Sequence, residues 1–295
     1  MAPQSLTYKT VGSLPIKLDL YLPPKSETNP PILLWFHGGG LLQGSRSGVA
    51  PHMLSGVSKY GFALVSADYR LAPQATIDEI VSDVQDCLTF IHDKLPQHMP
   101  LGVTLDTSRI AASGSSAGGY LALLAGLYSK VTPKVVLSMY PITNPYGKFF
   151  TTPQPQRIPD IIPDRHVDKS VVAQYIDRNT EIVADNDAAS TRNKLYFYMM
   201  QEANLASLLS VKPGDDTYII ADQLRKRGSY LPCFILHGDA DRFVGIEQAE
   251  EVVEALKEIG ADYEYERLEG LDHVFDNDAK FQLEAMYDFM NKHLT

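Results

Sequence analysis

The chain has 295 residues, a formal net charge of −10, 44% apolar and 21% charged residues, the profile of a folded globular protein. That length can bury most of its apolar surface in one core, and α/β proteins often use it for a single domain, so one domain over 1–295 is expected. No basic stripe offsets the acidity, which argues against nucleic acid and anionic membrane surfaces as partners. The two cysteines, Cys87 and Cys233, form no disulfide framework and no metal-type spacing. The N-terminal residues lack the apolar core of a signal peptide, and no apolar run reaches membrane-spanning length. A cytoplasmic protein without stable membrane association is expected.

In chain order, Ile16, Leu18 and Leu20 alternate with polar residues and predict an antiparallel strand ending at Pro23-Pro24. Residues 30–36 (PPILLWF) and 62–66 (FALVS) are continuously apolar, as strands covered on both faces should be. Thr76 and Glu79 can form a capping box, after which Ile77, Ile80, Val81, Val84, Leu88 and Ile91 share one helical face. Residues 109–113 predict a strand and 117–128 the helix after it. Further strands are expected at 134–139, 232–236 and 263–267, with a helix over 247–259 stopped by Gly260. A closing helix is expected over 277–293. Alternating strands and helices imply a mostly parallel sheet with helices on both faces. The stretch from about 144 to 228 breaks this rhythm, with helical segments near 170–177, 193–209 and 216–227, and predicts a helical cap inserted over the sheet.

Four short segments carry chemistry. Gly114-Ser115-Ser116-Ala117-Gly118 is a G-x-S-x-G between a predicted strand and a predicted helix. A nucleophile on so sharp a turn needs minimal side chains two positions before and after it. Ser116 is then the nucleophile, at a helix N-terminus that favours developing negative charge, and Ser115 is a structural turn residue. His37-Gly38-Gly39-Gly40 follows an apolar strand; its glycines let N–H groups turn inward, so Gly39 and Gly40, with Ala117, predict an oxyanion hole. Neither a P-loop nor a clean dinucleotide fingerprint accompanies them, and His37 is expected to brace the loop. His237-Gly238-Asp239-Ala240-Asp241 ends a strand and offers two aspartates. Asp241, beyond the turn, can reach back towards the nucleophile and is the expected acid, with Asp239 tying the loop. His273, in the loop Gly270-Leu271-Asp272-His273, completes the chain order Ser, Asp, His of the α/β-hydrolase fold.

These segments, with Asp68-Tyr69-Arg70-Leu71-Ala72-Pro73 and the run Asp106-Thr107-Ser108-Arg109-Ile110-Ala111 into GSSAGG, resemble the hormone-sensitive-lipase-like carboxylesterases. The resemblance spans most of the chain outside the cap. It implies an α/β-hydrolase fold and carboxylesterase activity, with DYRLAP in an architectural role. Two departures stand out: few residues precede HGGG, predicting a shortened N-terminal part of the cap, and the acid loop reads HGDADRFV, closer to general α/β-hydrolases.

The expected reaction is cleavage of a carboxylic ester of a small or medium apolar substrate through an acyl-enzyme, with no cofactor. Gly38, Leu41, Leu42, Ser115 and Tyr198 are the expected substrate contacts, and Phe149, Phe150 and residues 196–200 the apolar cluster of the cap. The same triad suits lactones, thioesters, amides or acyl transfer in specialised metabolism. A small-molecule receptor on this fold would keep the pocket and lack turnover.

Overall fold

The computed structural model describes residues 2–24, 29–155 and 166–294; residues 156–165 of the expected insertion lie outside them. The strands are β1 (Gln4–Val11), β2 (Leu14–Tyr21), β3 (Ile32–Phe36), β4 (Ala63–Ala67), β5 (Ile110–Ser115), β6 (Val135–Met139), β7 (Cys233–Gly238) and β8 (Tyr263–Leu268). Among the described residues they form one sheet of eight strands in the order β1-β2-β4-β3-β5-β6-β7-β8. The β1–β2 and β2–β4 pairs are antiparallel and the remaining pairs parallel. Every residue of β3, β4, β5, β6 and β7 is buried, which is why these strands read as unbroken apolar or small-residue runs. The alternating β1 lies at the sheet edge, exposing every second or third residue.

The helices are α1 (Pro51–Tyr60), α2 (Ile77–Asp93), α3 (Ala117–Tyr128), α4 (Lys148–Thr151), α5 (Lys169–Ile176), α6 (Leu195–Glu202), α7 (Leu205–Leu208), α8 (Ile220–Arg227), α9 (Glu247–Glu258) and α10 (Glu284–Leu294). Successive residues of a strand point to opposite faces, and the two cores follow from that. Leu33, Trp35 and Leu64 pack with Met53 and Val57 of α1 and with Met286, Phe289 and Met290 of α10. Ile32, Leu34, Phe36 and Val65 pack with α2, α3 and α9 and with the helices between β6 and β7. Thr76 and Glu79 do form the capping box of α2, a device contributing about 1 kcal/mol.

Three expected boundaries differ. The closing helix starts at Glu284, because Phe275–Asn277 form a short 3₁₀ turn and Leu283 adopts a left-handed φ of 49°. The predicted 193–209 segment is split into α6 and α7 by Ala203 in the left-handed region. Strand β1 and helix α1, unexpected from the sequence, complete the sheet edge and the second core. Cys87 and Cys233 are buried free thiols. Among the described residues no helix is long and apolar enough to cross a membrane.

Candidate active site

The parallel strands β3, β5, β6, β7 and β8 run the same way, so the loops leaving their C-terminal ends gather along one edge, where open α/β sheets bind ligands. The glycine run leaves β3, Ser116 leaves β5, Asp241 follows β7 and His273 follows β8.

The turn at Ser116 is dictated by close backbone contact. Ser116 has φ 57° and ψ −119°, a strained conformation for a residue with a side chain. Its N–H donates to the Met139 carbonyl at 2.8 Å, and its own carbonyl accepts from Tyr120 at 3.2 Å and Ile142 at 3.3 Å. A Cβ at Gly114 would sit 2.1 Å from the Gly118 carbonyl, and one at Gly118 would sit 1.9 Å from the Phe36 carbonyl oxygen. Only hydrogen fits at either position. Ala117 opens α3, so its N–H has no partner inside the helix.

Gly39 has φ 106°, and its carbonyl accepts from Leu42 at 3.1 Å and Gln43 at 3.2 Å, folding the loop back on itself. His37 braces this loop: its ring stacks on Tyr69 with centroids 4.3 Å apart, and its Nδ1 lies 2.8 Å from the Gly38 carbonyl. The Tyr69 hydroxyl donates to the His37 carbonyl at 2.8 Å. Burial drives the His37 pKa down to about 4, so the ring is uncharged at neutral pH.

Asp241 accepts the N–H groups of Phe243 at 2.8 Å and Val244 at 2.9 Å on Oδ1, while Oδ2 lies 2.6 Å from Nδ1 of His273. Burial by itself would raise the pKa of this carboxyl; the charge of His273 and the hydrogen bonds from His237 and His273 outweigh burial and hold it well below the usual range. Asp239 points elsewhere, accepting from the Gly270 N–H at 2.7 Å. The two loops are tied together by their neighbours. Asp272 accepts from the Arg242 N–H at 3.0 Å and from Nε at 2.8 Å, and also pairs with Nη2. Ala240 donates to the Leu271 carbonyl at 3.1 Å.

Ser116 and His273 line one cavity of about 350 Å³ with Trp35, His37, Gly38, Gly39, Gln43, Gly44, Ser45, Ser115, Tyr140, Tyr196, Phe197, Phe243 and Asp276 among its walls. Trp35, Tyr140, Tyr196, Phe197 and Phe243 give the wall its aromatic part. Among the described residues no hydrogen bond joins Ser116 to His273; such contacts are often long in free enzymes and tighten around substrate. Tyr140 presents its ring edge to His273 at 4.6 Å and donates to Asp276 at 2.5 Å. Asp276 also faces Nε2 of the buried His52 at 3.2 Å, and Trp35 donates to the Ser115 hydroxyl at 3.3 Å.

The wall differs from expectation at several residues. Leu41 and Leu42 are fully buried in the core. Their carbonyls are used internally, Leu41 by the Ala72 N–H at 2.8 Å and Leu42 by Arg192 Nε at 2.7 Å. Tyr198 packs into the core and is not among the cavity's lining residues, while Tyr196 and Phe197, earlier on α6, line it; at about 100° per residue, Tyr198 is turned about 200° from Tyr196. A side chain at Gly40 would meet the ring of Tyr196, which lines the cavity, at 2.5 Å. Gly38 and Ser115 do line the cavity. Trp35, Tyr140, Phe243 and Asp276 also line the cavity; Trp35, Phe243 and Asp276 lie within three residues of the HGGG run, Asp241 and His273, but nothing in their own residue types marks them as wall residues. Among the described residues no group of three His, Cys, Asp or Glu is arranged to hold a metal ion.

A mostly parallel sheet carrying a strained serine at the end of its fifth strand, with an aspartate–histidine pair on the last two loops, is an α/β-hydrolase. Residues 18–256 match the BD-FAE family. The chain belongs to that family, which is of the hormone-sensitive-lipase-like esterase type. An α/β-hydrolase superfamily protein from Enterococcus faecalis superposes with a TM-score of 0.72 at 21% identity, covering 99% of this chain and 98% of that one. Esterase 2 of Thermogutta terrifontis, in a propionate-bound structure, superposes at 0.62 with 19% identity, covering 99% and 93%.

In sequence, a probable carboxylesterase M8 of Phoma sp. is 26% identical over 85% of this chain and 82% of its own length. The non-reducing polyketide synthase pkbA of Emericella nidulans is 27% identical over 93% of this chain. The chain spans only 13–14% of the length of that synthase and of those of Preussia isomera and Stachybotrys bisbyi.

Proposed function

We propose that the protein is a serine carboxylic ester hydrolase acting on a small or medium apolar substrate. His273, through the imidazole nitrogen not bonded to Asp241, takes the Ser116 proton as Oγ attacks the ester carbonyl. The tetrahedral oxyanion is received by the backbone N–H groups of Gly39, Gly40 and Ala117. Collapse releases the alcohol, protonated by His273; water then repeats the sequence on the acyl-enzyme and frees the acid. Asp241 keeps the His273 proton on Nδ1 and stabilises the imidazolium.

The observation that carries this reading is the 2.6 Å Asp241–His273 contact at the edge of the cavity that Ser116 enters. Membership of an esterase-type family, the carboxylesterase M8 relative and the esterase 2 likeness support it. The test is Ser116→Ala assayed with p-nitrophenyl acetate. Loss of at least about 10⁴-fold in kcat is expected, from the size of triad deletions. Retention of more than about a thousandth of the activity would sink the assignment, and failure of a fluorophosphonate probe to label Ser116 in the wild type would favour a receptor.

A second reading keeps the triad and changes the leaving group. The match of nearly the whole chain to a small part of polyketide synthases favours an acyl thioester as substrate. The same donors and base serve that carbonyl, with a thiolate leaving in place of an alcohol. Comparing p-nitrophenyl esters with an N-acetylcysteamine thioester of the same acyl group separates the two.

A further inference from the structure

Asp241 is flanked by two imidazoles, and the reaction described above uses only one. His237 closes β7, is fully buried, and places Nε2 3.0 Å from the Val244 carbonyl oxygen and 3.2 Å from Oδ2 of Asp241. Both neighbours are acceptors, so Nε2 carries the proton and is shared between them. Nδ1 is buried and has no hydrogen-bond partner among the described residues, which agrees with that tautomer, because a proton there would find nothing to bond.

Asp241 therefore accepts three hydrogen bonds on a side chain only 1% exposed, two from backbone amides on Oδ1 and one from His273 on Oδ2, and the His237 Nε2, bonded to the Val244 carbonyl, stands 3.2 Å from Oδ2 as a second imidazole beside it. Oδ2 is the atom that receives His273. If only the amides held the carboxylate, they would fix Oδ1 and leave Oδ2 to be set by His273, a side chain that must itself be held. An anchor independent of His273 is what the arrangement otherwise lacks. His237 is suited to that task. It lies on β7, a strand buried along its whole length and paired on both sides, while Asp241 and His273 lie on loops, so it ties the acid to the sheet.

We propose that His237 is a positioning residue for the acid of the triad: its Nε2–H holds Oδ2 of Asp241 where His273 donates to it. The proposal rests on the serine hydrolase reading. A second donor also draws charge from the carboxylate, so its removal leaves Asp241 a stronger partner for the His273 imidazolium. Two effects should then appear together. The imidazole is misplaced for part of the time, which lowers kcat, and the acid limb of the pH profile moves upward.

The experiment compares His237→Gln, His237→Asn and His237→Leu. The Gln amide nitrogen reaches about as far as Nε2, the Asn nitrogen stops near the Nδ1 position, and Leu fills space without a donor. Rates on p-nitrophenyl acetate are taken per fluorophosphonate-labelled Ser116, so that only folded sites are counted. For Asn and Leu, kcat should fall about 10–100-fold, the scale expected when a reacting group is displaced by an ångström or less. KM should stay within about twofold, and the acid limb of kcat/KM should rise by a few tenths of a pH unit. Gln should restore both quantities to near wild type. Equal activity in all three variants, a loss confined to KM, or failure of Gln along with the others, by inactivity or by unfolding, overturns the proposal. Wild-type protein that neither turns over ester nor labels at Ser116 would instead overturn the hydrolase reading, and is scored before any variant.

Discussion

Around Ser116 the chain is held by backbone packed against backbone; around Asp241 and His273 it is held by side chains bonded across loops. At Ser116 the constraint is steric, with Gly114, Gly118 and the Phe36 carbonyl in contact too close for any Cβ. At the other side, a charged cluster of Asp241, His273, Arg242 and Asp272 docks two loops that leave neighbouring strands. Steric constraints fail as a whole because nothing can relax, whereas a network of polar contacts loses function in steps. The two halves of the site should therefore respond to substitution with different steepness.

The largest effect is expected at the steric half. Gly118→Ala would press a methyl carbon to 1.9 Å from the Phe36 carbonyl oxygen, and neither partner is a flexible side chain. The variant should be recovered unfolded or with no fluorophosphonate labelling, read by thermal melting and probe incorporation. A folded, labelled Gly118→Ala protein would show that the turn can open. Gly38→Ala sharpens the contrast: its nearest approach is 3.0 Å, to the Ser115 carbonyl, so it should fold and lose activity only partly.

Next comes Asp241→Asn, which keeps the shape and removes the charge. The amide would favour the wrong imidazole tautomer, and kcat should drop about 10³–10⁴-fold while melting changes little by comparison. Because the carboxyl of Asp241 is held well below the usual range, its protonation should not contribute to the wild-type pH profile between pH 5 and 8; a carboxylate-like step in that window would contradict the environment of two amides and two imidazoles around it.

His37 gives an intermediate effect visible in stability. Its pKa falls from 6.5 to about 4 on burial, so between those values the unfolded chain binds more protons than the folded one. Stability then falls as pH drops from about 6.5 towards 4, and this contribution is constant outside that window. The depression corresponds to a few kcal/mol. His37→Phe keeps the stack on Tyr69 and removes the titration, so the wild-type minus variant difference in unfolding free energy should slope with pH across that window. A flat difference would mean that the ring is charged or solvated in the folded state.

The smallest effect is expected at Arg242, whose pair with Asp272 is about one-third exposed. Such pairs contribute roughly 0.2–1 kcal/mol and weaken with salt. Arg242→Ala should lower the melting temperature by no more than about 2–4 °C, and 1 M salt should erase most of the difference. A loss like that of Asp241→Asn would mean that loop docking, and not the acid itself, governs this half of the site.

How much was legible from sequence follows the same division. Buried strands such as Ile32–Phe36 and Val135–Met139 announce themselves, because a strand covered on both faces must be apolar throughout. The glycines around Ser116 are readable because they answer a local demand of the chain on itself. Strand β1 and helix α1 leave little trace in the sequence, because a half-exposed edge strand and a helix with His52, Ser55 and Ser58 show weak periodicity. The pocket wall was the least legible. Leu41 and Leu42 are apolar and follow the glycines, yet the left-handed turn at Leu41, φ 63°, turns both into the core and leaves Gln43 and Gly44 on the cavity.

Sequence by itself determined which residues could carry an acyl transfer: a serine between two small residues, a glycine run after a strand, and Asp241 and His273 in that order. Such signals are short-range, each set by what a turn or strand permits within a few residues. Only the tertiary structure decided that Asp241 Oδ2 would stand between His273 and His237, 36 positions apart in the chain, and that Trp35, Tyr140 and Phe243 would wall one cavity. Those contacts come from the parallel order of β3, β5, β6, β7 and β8, which brings distant loops to one edge of the sheet.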